Sequence, residues 1–179
     1  KPARWTWISL GTGDRSTKLT AMDTEPFSLS YASGFPAAQQ LSIFLHNGIG
    51  QLLRVTRLFD GTDIHILALS VVNSVDCAII RLIVDQPDEA FDLLRESGFA
   101  VNQTEILVVG LPSGKQALLH TWVAFLSAEL DVAYAYALMT HPDGSPALAV
   151  QTDQLEQAAE ALDKKGFRVL DQSDLARLY

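Results

Sequence analysis

The sequence predicts an α+β protein built from two copies of one βαββαβ unit. Many residues of the first half return in the second half at a spacing of about 66 to 68 positions, which indicates a duplicated structural unit. Within each half, β-branched runs alternate with segments of helical periodicity, and a glycine ends the helical segments. The matching pairs include Leu45 and Leu111, Gly48 and Gly114, Phe59 and Phe125, Asp63 and Asp131, Leu94 and Leu162, and Gly98 and Gly166.

The duplication divides the chain into four segments. The first segment is rich in Ser, Thr, Gly and Pro, and its Trp5 and Trp7 suit an arm that docks on a partner. The predicted segments are 1–38, an N-terminal extension; 39–104, the first repeat; 105–171, the second repeat; and 172–179, a C-terminal tail.

Local patterns predict the elements of the first repeat. A short strand leads into a Gly-bearing turn, and the helix that follows ends at Gly61. Two β-branched runs then form a hairpin, and Asp85 is expected to cap a helix that has Pro87 near its start and ends at Gly98. The predicted strands are 40–45, 63–72, 76–84 and 99–103, and the first helix spans 51–59.

The second repeat follows the same order. Thr152 or Asp153 is expected to cap its last helix, which Gly166 ends, and residues 141–144 are expected to form a hairpin turn. The predicted strands are 105–111, 131–139, 145–151 and 167–170, and the first helix of this repeat spans 116–128.

Each repeat therefore has the ferredoxin-like arrangement, with an antiparallel sheet and both helices packed on one face. The hairpin strands, however, are apolar on both sides, as in the run from Val132 to Met139. Strands of this kind are buried on both faces. We therefore expect the two copies to pair sheet edges or sheet faces with each other and with a second chain.

Composition excludes several classes of function. The chain has 179 residues, a formal charge of −8 and a hydrophobic fraction of 48%. An acidic chain without a Lys/Arg cluster disfavours nucleic acid or an anionic membrane as a partner. Cys77 is the single cysteine, so an internal disulfide is impossible, and a run of 18 apolar residues is absent. We expect a cytoplasmic protein.

Catalytic and metal-binding residues are not expected. The four histidines are isolated from one another in the sequence, and no nucleophile–base pair can be assembled. Cys77 is predicted to be a small buried side chain, and His65 a core or interface histidine. An RNA-recognition module, a metallochaperone and an acylphosphatase-type enzyme each need residues that the chain lacks. We therefore predict a non-catalytic protein without a cofactor.

The first strand-to-helix loop of each repeat is the strongest candidate for a binding site. Residues 45–50 and 111–115 each carry glycine and lead directly into a helix. Backbone N–H groups and the helix dipole at such a terminus favour an anion, for example a carboxylate. Ordinary turn chemistry, with Asn47 or Ser113 as a helix cap, explains the same residues. The residues alone leave both interpretations open.

Three stretches of the first repeat resemble the ACT domain: residues 40–50, residues 77–85 and Gly98-Phe99-Ala100-Val101. The order of elements over the whole segment 39–171 resembles stand-alone tandem ACT proteins. The resemblance implies a regulatory, allosteric homodimer that binds an amino acid or related carboxylate at interfaces between ACT domains and acts on a partner enzyme. The family places the ligand at the turn, the start of the first helix and the facing strand. Carried onto this chain, those residues are Asn47, Gly48, Ile49, Gly50, Gln51, Leu52, Ile64, His65 and Ile66 in the first repeat, and Leu111, Pro112, Ser113, Gly114, Lys115 and 132–134 in the second.

Two departures from the family pattern bear on this prediction. In the family a proline precedes the glycine of the turn, whereas this chain has Ile49 at that position. The turn of the second repeat has neither Asn nor an acidic residue. The second loop is therefore expected to be the weaker site. The alternative function is a structural or adaptor module whose pockets have closed and which acts through protein contacts alone.

Overall fold

The computed structural model describes residues 34–46, 48, 50–73 and 77–178. These residues form seven strands and five helices, which confirms the predicted α+β class. The elements are β1 (Ala38–His46), α1 (Gln51–Leu58), β2 (Ile66–Asn73), β3 (Cys77–Val84), α2 (Pro87–Glu96), β4 (Ala100–Gly110), α3 (Ala117–Ser127), β5 (Tyr134–Ala137), β6 (Ala147–Gln151), α4 (Leu155–Lys164), β7 (Val169–Leu170) and α5 (Gln172–Ala176). The predicted N-terminal arm, Asn47 and Ile49 lie outside the described residues.

Strand β4 joins the two repeats into one sheet. The strand order is β2-β3-β1-β4-β6-β5, and β7 also pairs with β4. The first half of β4 is the fourth strand of repeat one and pairs with β1, whereas its second half is the first strand of repeat two and pairs with β6 and β7. The prediction of separate strands at 99–103 and 105–111 is therefore wrong. Thr104 alone separates the two predicted strands and is not a strong turn former, and the pairing with β1 continues through Thr104 and Glu105.

Each repeat packs its two helices on one face of its part of the sheet. In repeat one, Leu41, Ile43 and Leu82 of the strands meet Val55 of α1 and Leu94 of α2. Repeat two builds the corresponding core from strand residues such as Leu107 and Val150 and helix residues such as Phe125 and Leu162. The removal of these side chains from water is the main force that holds the helices to the sheet.

The helix-free faces of the two repeats pack against each other within one chain. Leu67, Ala68 and Ile83 of repeat one share a buried cluster with residues of repeat two, among them Val108 and Ala149. The outermost strands in the strand order, β2 and β5, also meet, because Ala68 and Leu138 form an antiparallel bridge. Intramolecular packing thus buries one face of the hairpin strands, but the prediction of burial on both faces is wrong for β5, since Ala135 and Ala137 are exposed and the following Met139 is 58% exposed.

A buried polar network lies beside this cluster and links the repeats. The side-chain amide of Gln40 on β1, which is 0% exposed, donates to the hydroxyl of Tyr134 (2.9 Å), and the hydroxyl of Tyr136 donates to Gln40 Oε1 (2.8 Å). Burial raises the pKa of Tyr136 above its ordinary value of 10.0, so the hydroxyl remains a donor. The guanidinium of Arg81 lies 4.0 Å from the centroid of the Tyr134 ring.

Three local predictions are wrong. Asp85 does not cap α2, and neither Thr152 nor Asp153 caps α4, because the N-cap positions are Gln86 and Gln154 and neither helix has a side-chain cap. The carboxylate of Asp85 instead accepts hydrogen bonds from the backbone N–H and from the ring of His65. Cys77 is exposed, because it begins β3 opposite His46, at the end of the sheet remote from repeat two.

Helix α5 follows β7, and its Leu175 packs in the buried cluster between the repeats. Asp171 caps this helix, because its carboxylate accepts from the backbone N–H of Asp174 (2.8 Å), while the Asp174 side chain accepts from the backbone N–H of Asp171. Gln172 donates to the backbone carbonyls of Val84 and Asp85. Residues 172–176 thus pack on both repeats.

None of the helices in the described ranges is long and apolar enough to cross a bilayer. The same residues contain no cluster of His, Cys, Asp and Glu side chains that would hold a metal ion.

Gln40→Leu is expected to lower the free energy of unfolding by about 1–3 kcal/mol. The substitution keeps the approximate size of the side chain but leaves the hydroxyls of Tyr134 and Tyr136 without their partner in a buried site. Urea unfolding of Gln40→Leu and of the neighbouring variant Gln39→Leu measures the effect. Equal stabilities of the two variants would contradict a stabilising role for the network.

Asp171→Ala is expected to destabilise the protein by about 1 kcal/mol at neutral pH, because α5 loses its N-cap. Hydrogen bonds from Ser173 and from the N–H of Asp174 hold the pKa of Asp171 below its ordinary value of 3.8. Its contribution is therefore present above pH 3.8 and is lost as the pH falls through the lower pKa of the folded state. Urea unfolding at several pH values, with Asp131→Ala as the control, should show a difference that shrinks in acid; a difference independent of pH would count against this.

Candidate functional site

The first candidate loop leads into α1 through a left-handed glycine. Gly50 is the N-cap of α1 with φ of 85°, and no side chain caps this helix terminus. The carbonyl of Gly50 accepts from the backbone N–H of Arg54 (2.9 Å), while Gly50 itself, Gly48 and Leu52 are exposed and Gln51 is half-buried. The start of α1 therefore presents backbone N–H groups and a positive dipole end to solvent.

Ile64 and His65 do not join this loop within one chain. They lie with Thr56 and Phe59 around a shallow cleft of about 450 Å³ at the C-terminal end of α1. The strand register gives the reason: Ile66 pairs with Val84, at the end of the sheet where β1 begins, whereas the loop follows His46, where β1 ends. A pocket that contains both groups would need a second chain.

The larger cleft, of about 520 Å³, lies in repeat two beside its first strand-to-helix loop. We call it the α3 cleft. Its walls come from the end of β4, from α3, from the segment after β5 and from the segment that follows α4. The lining residues are Gly110, Leu111, Pro112, His120, Val123, Ala124, Pro142, Ser145, Lys165, Gly166, Phe167, Arg168 and Leu170.

The charged and ionisable groups in the lining are basic. His120, Lys165 and Arg168 face the cleft, and no Asp or Glu is among the lining residues. The whole chain, in contrast, has a charge of −8. Apolar walls from Val123 and Phe167 complete a site that has one apolar side and a few cationic groups, the usual composition of a pocket for a small organic anion.

The two long basic side chains are held by neighbouring groups. Lys165 Nζ donates to the backbone carbonyl of Ala124 in the last turn of α3 (3.1 Å), where a helix leaves carbonyls without intrahelical partners. Arg168 lies 3.6 Å from a carboxylate oxygen of Asp174. Both cations are thus positioned beside the cleft by contacts that span separate elements.

In repeat one, an arginine side chain lies at the place that corresponds to the cleft. Arg54 stands where repeat two has His120, and its guanidinium lies 4.8 Å from the centroid of Phe99, the counterpart of Phe167. Ser97 and Ala100 replace Lys165 and Arg168. The volume and the positive lining of the α3 cleft therefore result from differences between the copies.

The residues predicted for the second loop have different positions. Leu111 and Pro112 line the α3 cleft, whereas Ser113, Gly114 and Lys115 are exposed on the adjoining turn and are not part of its lining. Of residues 132–134, Val132 packs in the core of repeat two and Tyr134 joins the Gln40 network. Sequence reasoning missed His120, Lys165 and Arg168, although comparison of the repeats places a basic residue opposite Ser97 and another opposite Ala100.

Comparison with protein families supports the same architecture. The model of a family described as an ACT domain pair matches residues 37–179. This chain belongs to the ACT domain pair family. Two ferredoxin-like repeats joined by β4 are its two ACT domains. A comparison with curated proteins found no match.

Solved structures share the fold of this ACT pair. Protein BT0572 from Bacteroides thetaiotaomicron is 29% identical, with a TM-score of 0.72 over 80% of this chain and 99% of that chain. The ligand-free regulatory subunit of aspartate kinase from Thermus thermophilus is 15% identical, with a TM-score of 0.50 over 73% of this chain and 93% of that chain. The first similarity extends through both ACT domains, and the second supports the fold alone.

Proposed function

We propose that this ACT domain pair is a non-catalytic regulatory protein that binds an amino acid or a related carboxylate. The observation that carries the proposal is the α3 cleft, which is lined by three basic groups and no acidic group in a chain of charge −8. Lys165 and Arg168 would hold the carboxylate, and Val123 and Phe167 would contact the apolar part of the ligand. Charge-assisted hydrogen bonds supply both strength and selectivity at such a site.

The exposed start of α1 is the second proposed ligand contact. Gly48, Gly50, Gln51 and Leu52 leave a helix N-terminus open to solvent, and a carboxylate is a suitable guest there. Asn47 and Ile49 belong to the same loop. Ile64 and His65 would complete this site from another chain of a homodimer. The exposed turn Ser113-Gly114-Lys115 would be the corresponding contact in the second repeat.

Regulation requires that the ligand favour one arrangement of the protein over another. The α3 cleft has walls from four separate segments, so an anion that bridges Lys165 and Arg168 would stabilise the end of α3 against the end of α4. A partner enzyme could sense that difference in rigidity. The Thermus thermophilus neighbour, a regulatory subunit of aspartate kinase, is a precedent for such a role in this fold.

Thermal unfolding against amino acids, 2-oxo acids and 2-hydroxy acids tests the proposal. A compound at 100 times its dissociation constant stabilises the folded protein by about 2.7 kcal/mol, which shifts the midpoint visibly. The matching amines without the carboxylate should give no shift. Absence of a shift with every carboxylate would contradict the ligand-binding function and favour an adaptor that acts through protein contacts.

Lys165→Gln and Arg168→Gln are expected to weaken binding of the selected carboxylate by about 10- to 100-fold each, because each removes a charge-assisted hydrogen bond. Lys164→Gln is the matched control, since Lys164 is the exposed neighbour that pairs with Glu160 outside the cleft. Isothermal titration calorimetry measures the affinity and the number of ligands per chain. Binding that survives both cleft substitutions but is lost in Gln51→Ala would move the site to the start of α1.

A further inference from the structure

Helix α3 has an apolar surface on the side that faces away from its core. Its buried residues are Thr121, Ala124 and Phe125, and five large apolar side chains cover the opposite side. These side chains recur at helical spacing and therefore form one continuous stripe about 12 Å long, from Leu118 to Leu126 at 1.5 Å per residue step. The α3 stripe consists of Leu118, Leu119, Trp122, Val123 and Leu126, of which Leu126 is 77% exposed.

Comparison with the other repeat indicates that the fold does not require this stripe. At the positions of Trp122, Val123 and Leu126, the first repeat has Thr56, Arg57 and Asp60. Helix α1 nevertheless packs on its sheet in the same way, with Val55 buried. Only the two leucines at the start of the stripe have apolar counterparts, Leu52 and Leu53. Trp122, Val123 and Leu126 are all partly or largely exposed, although Trp122 also contacts the buried Phe125. Exposed apolar patches of this kind mark interaction surfaces.

The charge distribution indicates the partner. Residues 116–128 contain no Asp, Glu, Lys or Arg, in a chain of charge −8. Two copies of an acidic protein repel each other through most of their surface, and this repulsion is smallest where charge is absent. An uncharged apolar stripe is also self-complementary, which is the requirement for a two-fold interface in which the same patch serves both subunits.

We propose that two copies of this chain associate through the α3 stripe about a two-fold axis. Trp122 would be the central residue of the interface, because aromatic side chains, Trp above all, contribute most of the binding energy at such interfaces. Its side chain is 38% exposed, and its ring centroid lies 5.9 Å from that of Phe125. The surrounding helix surface would supply the rest of the roughly 800 Å² that a standard interface removes from each partner. The inference rests on the homodimer of the proposed function but not on its ligand.

The interface would also bring the two α3 clefts towards the two-fold axis. Val123 belongs both to the stripe and to the lining of the cleft, and His120, another lining residue, lies on the same helix. Each subunit would therefore approach the cleft of its partner. Association and ligand binding would then affect each other by the same factor, as linkage requires.

Sedimentation velocity of the full chain without ligand, over a range of concentrations, tests the proposal. The protein is expected to be a dimer, and Trp122→Thr and Leu126→Asp, which install the residues that the first repeat carries, should each raise the dimer dissociation constant by at least about 30-fold. Leu53→Asp is the matched control on α1, where Leu53 is 51% exposed, and should leave the dimer intact.

A monomer at about 100 μM, or a dimer that both variants leave unchanged, would overturn the proposal. The second result would place the interface elsewhere, for example on the sheet surface around Phe44 and Val72. Circular dichroism melting verifies that each variant is folded. If Trp122→Thr fails to fold, Leu126→Asp decides the question, because Leu126 is largely exposed and makes little contribution to the core. Ligand binding does not enter any of these measurements, so failure here is distinct from failure of the carboxylate proposal.

Discussion

The backbone ladder of β4 is the constraint on which the rest of the structure depends. Since one uninterrupted strand pairs with β1 in its first half and with β6 and β7 in its second, the two halves of the sheet cannot take independent positions. Helices cover one face of each half, and the bridge between Ala68 and Leu138 connects the strands at the two outer edges. Burial of the helix-free faces then follows from connectivity, and Gln40 satisfies the tyrosine hydroxyls that this burial would otherwise leave unpaired.

The two repeats have the same backbone fold, and substitutions at equivalent positions give them different surfaces. Arg54 stacks on Phe99 in repeat one, whereas the corresponding His120 and Phe167 border an open cleft. A long guanidinium side chain covers the aromatic ring and occupies the space in front of it, while a shorter imidazole leaves that space available. Lys165 and Arg168 then make the opened volume positive. For the proposed binding of an anion, His120, Lys165 and Arg168 would therefore matter more than the absence of Asn or an acidic residue from the second turn.

The sequence predicted the fold well because hydrophobic periodicity, glycine helix ends and the internal repeat are local or pairwise signals. It failed at the junction of the repeats, where separate strands are predicted on either side of Thr104, because only the pairing partner on β1 shows that the strand continues. It also failed for Asp85, where the competing partner is the distant His65. The cleft depends on four segments remote in sequence, so its shape could not be predicted. Its basic residues could have been found by asking where the repeats differ.

Helix α3 combines three requirements that a single amphipathic helix does not normally meet. One side buries Ala124 and Phe125 against the sheet, a second side borders the α3 cleft at His120, and the outward side is apolar. An outward apolar side is costly for an isolated domain, because water is ordered around it and nonspecific association follows. The corresponding segment of repeat one, α1 and the turn after it, reduces that cost with Thr56, Arg57 and Asp60. The apolar surface is present on only one of the two equivalent helices, next to the α3 cleft. In the proposed dimer, association and occupancy of the cleft would therefore act on the same helix.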